Sequence, residues 1–81
     1  MKKQPRSKEL YFGEIIKYFR KEAALSQDEL ADKMGISKSY IFKLENDLRS
    51  PSPGMLIRLG RAMSINPGAI LDRAAEDYPK E

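Results

Sequence analysis

Within residues 26–46, SQDELADKMGISKSYIFKLEN, the chain spells out two short helices and the turn between them. Ser26 is a helix cap, and Glu29 stands where a capping box requires an acid. Leu25 before the cap and Leu30 beyond it are spaced to close a hydrophobic staple. Leu30, Ala31 and Met34 form one apolar stripe, and Gly35 supplies the left-handed residue that ends a helix. Ile36 and Ser37 then repeat the entry pattern, with Ile41 placed as the second staple partner. Ile41 and Leu44 hold this second helix to the first. Small Ala31 allows the two helices to cross closely, while Gly35 turns the chain within a connection of about three or four residues.

The same period runs through the flanking sequence. Phe12, Ile15, Ile16, Phe19 and Ala23 predict a first helix from about Lys8 or Phe12 to Ala24. Gly13 inside that run is expected to weaken it slightly. Asp47 to Pro51 is a loop with turn chemistry, and Ser52-Pro53 restarts a helix as cap and first-turn proline. The fourth helix carries Met55, Leu56, Leu59, Ala62 and Met63 on one face, with Arg58 and Arg61 opposite. Asn66-Pro67 repeats the start signal for a fifth helix, which runs to about Asp77 before Pro79. Strand-type alternation is absent from the sequence. The expected fold class is all-α, a compact bundle of five short helices.

The net charge of +3 lies entirely within residues 1–9, where Lys2, Lys3, Arg6 and Lys8 oppose Glu9. The remainder balances to zero. This predicts a flexible basic arm over residues 1–6, one folded domain over 7–78 and a disordered tail over 79–81. With no cysteine, neither a disulfide framework nor a thiolate metal site is available. With no histidine, the commonest general base and metal ligand is missing. No catalytic constellation, metal or cofactor is expected. Asp28, Glu29 and Asp32 read as support for a helix dipole on a solvated face. No apolar run approaches a membrane span, and the basic start lacks a signal peptide's apolar core, so a cytoplasmic protein is expected.

The residues of the central segment carry a resemblance. Counted from Gln27, the series Leu30, Met34, Ile36, Ile41 and Leu44, with small Ala31 and turn Gly35, is similar to the helix-turn-helix of DNA-binding repressors. The longer run FGEIIKYFRKEAALSQDELADKMGISKSYIFKLEN resembles the lambda repressor/Cro (XRE-like) family, and the likeness extends from about Phe12 to Leu71. It implies a lambda repressor-like DNA-binding domain whose third helix enters the major groove. At about 100° per residue from core-facing Ile41, Ser39, Phe42, Lys43 and Asn46 fall on the far side, with Lys38 and Tyr40 flanking them.

The resemblance assigns base reading to Lys38, Ser39, Tyr40, Phe42 and Lys43, and contacts to the DNA backbone to Gln27, Asn46 and Arg49. Phe42 reads either as a thymine-methyl contact or as a ring folded back on its own helix. The resemblance also implies a structural ion pair between Arg20 and Glu45, consistent with the partly inward direction of Glu45 on the helical wheel. Some positions depart from the family pattern. Asp47 and Ser64 stand where glycine is frequent, and serine there predicts a different turn. Leu48 replaces a residue that is often basic, and Gly60 in place of alanine implies either closer packing or lower stability.

The function implied is sequence-specific binding of double-stranded DNA by a transcriptional regulator, a repressor acting as a homodimer. Ile70, Leu71, Ala74, Ala75 and Tyr78 are offered either as the dimer contact or as completion of the monomer core. The alternative is a protein-interaction module of the same fold, such as an antitoxin or bridging factor with a protein partner. A basic third helix favours DNA over that alternative.

Overall fold

A computed structural model describes residues 10–78; the basic arm expected over 1–6 and the tail expected over 79–81 lie outside the described residues. Five helices follow in order: α1 (Gly13–Glu22), α2 (Gln27–Met34), α3 (Lys38–Glu45), α4 (Pro53–Ala62) and α5 (Pro67–Glu76). No strand occurs among the described residues. None of these helices is long and apolar enough to cross a membrane.

Four helix starts use the side chains the sequence offers. Ser26 accepts from the Glu29 amide at 3.0 Å, and the Glu29 carboxylate accepts from the Ser26 amide at 2.8 Å, which closes the capping box. Ser37, Ser52 and Asn66 accept from the amides of Tyr40, Met55 and Gly68. Pro53 and Pro67 sit where their missing N–H groups leave no donor unpaired. Only α1 begins without a side-chain cap, at Phe12.

The ends of α1 to α4 follow one rule that glycine alone does not reveal. Ala24, Gly35, Asp47 and Ser64 all have left-handed φ, between 57° and 67°. At each, a pair of backbone bonds closes the end. Ile36 donates to the Ala31 carbonyl and Gly35 to that of Asp32; Leu25, Leu48 and Ile65, with the residues before them, repeat the pattern. These are Schellman closures, in which the left-handed residue folds two amides back onto carbonyls the helix leaves unpaired. Helix α1 therefore stops at Glu22 rather than at Ala24. Ser64 takes the same turn as its glycine-bearing counterpart, not a different one. Leu25, Ile36 and Ile65 each close one helix and, one residue before a cap, open the next.

Helix α2 packs on α3 and α4 on α5, while α1 touches α3 and α5, and α2 touches α4. Ile16, Leu30, Ile41, Leu44, Leu59 and Ile70 are fully buried where these faces meet. Each such burial is worth about 1.5–3 kcal/mol relative to exposure. Ile70 and Ala74 belong to this core, while Leu71 and Ala75 on α5 are exposed and Tyr78 beyond its end is half-buried.

Two glycines answer to close approach rather than to helix propensity. A Cβ on Gly13 would lie 2.4 Å from the Glu45 carbonyl oxygen, because the start of α1 abuts the end of α3. The Gly13 amide donates to Asp47 Oδ1 at 2.9 Å across the same junction. A Cβ on Gly60 would lie 2.8 Å from Pro67 Cα, so here the glycine permits closer packing of α4 against the start of α5.

Candidate nucleic-acid interface

Helix α3 is held from behind by a polar cluster. Arg20 on α1 donates through Nε to Glu45 Oε2 at 2.5 Å and through Nη2 to Glu45 Oε1 at 3.0 Å. Its remaining nitrogen, Nη1, donates to the Leu25 carbonyl at 2.8 Å. Gln27, the first residue of α2, donates Nε2 to Glu45 Oε1 at 3.0 Å. One carboxylate thus ties together α1, α2 and α3. The Arg20 and Glu45 side chains are only 9% and 2% exposed, so their forked geometry and added hydrogen bonds offset a desolvation cost that an unpaired charge would bear in full. Among the described residues no buried side-chain nitrogen or oxygen lacks a partner. A further tie comes from Arg58 on α4, whose Nη2 donates to the Met34 carbonyl at the end of α2.

With Ile41, Leu44 and Glu45 turned inward, the opposite side of α3 faces solvent. Lys38, Ser39, Phe42, Lys43 and Asn46 are all exposed there. Phe42 leaves half its surface bare, at 50%. Lys43 forms no ion pair among the described residues, while the Lys38 ammonium lies 3.7 Å from Asp28 Oδ2 in an exposed pair. Such a pair in water is worth little and exchanges readily for another anion.

Several residues expected at the interface have additional duties. Tyr40 is half-buried and packs against the core, and the Arg49 guanidinium lies over its ring at 5.6 Å from the centroid. Asn46 donates Nδ2 to the Phe42 carbonyl at 2.9 Å, within the last turn of its own helix. Gln27 is half-buried by its contact with Glu45, although its amide nitrogen keeps a second N–H. The Gln27 and Arg49 contacts are not readable from helical spacing, because they depend on how a neighbouring helix or a loop returns.

The acidic residues of α2 divide. The Glu29 carboxyl is held below its ordinary value of 4.5 by the Ser26 backbone amide and then by the Ser26 hydroxyl, so it belongs to the helix start. Asp28 faces Lys38. The outward surface of α3 and its following loop therefore present Lys38, Lys43 and Arg49 as cations, with a hydroxyl and a bare aromatic ring between them.

Comparison with known proteins gives consistent neighbours. A family model described as helix-turn-helix matches residues 16–70. The HTH-type transcriptional regulator SinR of Bacillus subtilis (strain 168) is 35% identical over 65 residues, covering 79% of this chain and 59% of SinR. The immunity repressor protein of Bacillus phage phi105 is 39% identical over 59 residues, covering 73% of this chain and 41% of that protein. The chain thus spans about half the length of these relatives. A crystal structure of SinR, described as the master regulator for biofilm formation, in complex with DNA matches with a TM-score of 0.69. In that match the identity is 35%, over 75% of this chain and 98% of the other.

Proposed function

The chain belongs to the helix-turn-helix family, and on that premise we propose that it binds double-stranded DNA sequence-specifically as a transcriptional regulator. The observation that carries the reading is the sidedness of α3, with Ile41, Leu44 and Glu45 buried and Lys38, Ser39, Phe42 and Lys43 exposed on a braced scaffold. A helix of about 10–12 Å diameter fits a major groove about 12 Å wide. Ser39, near the start of α3, meets base edges with a hydroxyl that both donates and accepts. Lys43, one turn later, donates to a guanine edge. Lys38 exchanges Asp28 for a phosphate, and Arg49, Asn46 and the second N–H of Gln27 fix the register on the backbone.

The protein acts in the cytoplasm as a repressor, and as a homodimer, because one small module gives limited contact while two half-sites about 34 Å apart multiply it. It needs no cofactor and performs no catalysis. A protein partner in place of DNA is the competing reading, and the exposed cations of the outward face, with Lys43 outside any ion pair among the described residues, argue against it. Selection of bound sequences from a random duplex pool at low salt tests the proposal. One enriched motif, with two related half-sites for a dimer, is the expected result. Uniform recovery of all sequences counts against it.

A further inference from the structure

Two aromatic rings stand on the working side of α3, and they differ. Tyr40 packs against the core and lies beneath Arg49. Phe42 is 50% exposed, and among the described residues its ring meets no other ring and no cation. It sits at the centre of the outward surface, one turn from Lys38 and from Asn46 and three residues from Ser39. Asn46 Nδ2 holds the Phe42 carbonyl, which fixes the backbone beneath the ring. A bare ring in water gains free energy when an apolar group covers it. Within the major groove the apolar group that a base edge offers is the thymine C5-methyl. Lysines on both sides of the ring select a polyanion carrying that methyl over an uncharged apolar surface.

We propose that Phe42 is a specificity-determining residue that reads the C5-methyl group of one thymine in the site engaged by each α3. The inference rests on the DNA-binding reading and deepens it. Discrimination at this position follows the methyl group rather than a hydrogen bond. Deoxyuridine, which pairs as thymine does, is therefore disfavoured there, although every donor and acceptor is unchanged.

The test uses the full chain and the site recovered from a random duplex pool. Each thymine is replaced singly by deoxyuridine, and affinities are measured for the wild type and for Phe42→Ala at one salt concentration. At one thymine under α3 the wild type is expected to lose about fourfold in affinity, the worth of one buried methyl group. Phe42→Ala is expected to bind the thymine and deoxyuridine duplexes equally. Tolerance of deoxyuridine at every position by the wild type overturns the proposal, and that arm requires no variant to fold. An equal loss in both proteins assigns the methyl to another residue and also overturns it. A selected site with no invariant thymine does the same. Failure of the underlying reading is distinct, because no site would then be enriched at all.

Discussion

Removing Glu45 should cost this small domain a large fraction of its stability. In Glu45→Ala, Arg20 keeps its bond to the Leu25 carbonyl but loses both bonds to the carboxylate. Breaking a buried pair from one side costs about 3–5 kcal/mol, and the surviving Leu25 contact places this variant near 3. Arg20→Ala is the harsher change. It leaves a carboxylate that is 2% exposed with the Gln27 side-chain amide as its remaining hydrogen-bond donor, and about 4–5 kcal/mol is expected. A chain of 81 residues has a total of about 4–12 kcal/mol to lose. Replacing both residues by apolar ones of similar size, Arg20→Met with Glu45→Leu, should return stability to within about 1 kcal/mol of wild type. Urea unfolding of these four proteins, and of the Arg20→Ala with Glu45→Ala variant that closes the cycle with the two alanine singles, measures this, with the slope checked for constancy. The expected coupling is at least about 2 kcal/mol. Single costs below about 1 kcal/mol with no coupling would mean that the pair behaves as a solvated one, and the bracing role of Glu45 would be wrong.

Gly13→Ala should destabilise by about 1–3 kcal/mol or more, because its Cβ meets the rigid Glu45 carbonyl at 2.4 Å. Gly54→Ala, whose Cβ finds nothing nearer than Ser52 Oγ at 3.9 Å, should instead stabilise by up to about 1 kcal/mol, and thermal melts of the two variants separate these signs. Ser64→Gly should gain about 1 kcal/mol or less by relieving a left-handed serine with φ of 59°; a loss in the melt would show that the serine side chain is needed. The depressed pKa of Glu29 contributes stability that is present above 4.5 and lost as the pH falls through the lower folded value. Glu29→Gln should accordingly flatten the pH dependence of the urea midpoint between about pH 6 and pH 3, and identical curves for the two proteins would contradict this.

The elements of the fold were legible wherever a local signal specifies them. Ser26, Ser37, Ser52 and Asn66 announce four helix starts because capping is a contact between neighbours in sequence. The ends were less legible. Gly35 marks one left-handed closure, but Ala24, Asp47 and Ser64 adopt the same conformation without glycine, held by packing of the hydrophobe that follows or by the Schellman bonds themselves. Gly13 looked like a weak point because its reason is a carbonyl of α3, remote in sequence. The outward face of α3 followed from period alone, since Ile41 and Leu44 orient the helix. The engagement of Gln27 with Glu45 and of Arg49 with Tyr40 did not follow, because each needs the tertiary path of a loop or a second helix.

The central claim is that the exposed side of α3 reads bases, and its most direct measurement compares Ser39→Ala and Lys43→Ala on the selected site and on every single-base variant of it. A lost base contact costs about 1–3 kcal/mol on the preferred site and relaxes specificity at one position, whereas a lost phosphate contact weakens all sequences alike. At least one of the two variants is expected to show the first pattern with its melting temperature unchanged, since both side chains are exposed. If both proteins kept the fold, the affinity and the full base preference of the wild type, α3 would not be the reading head.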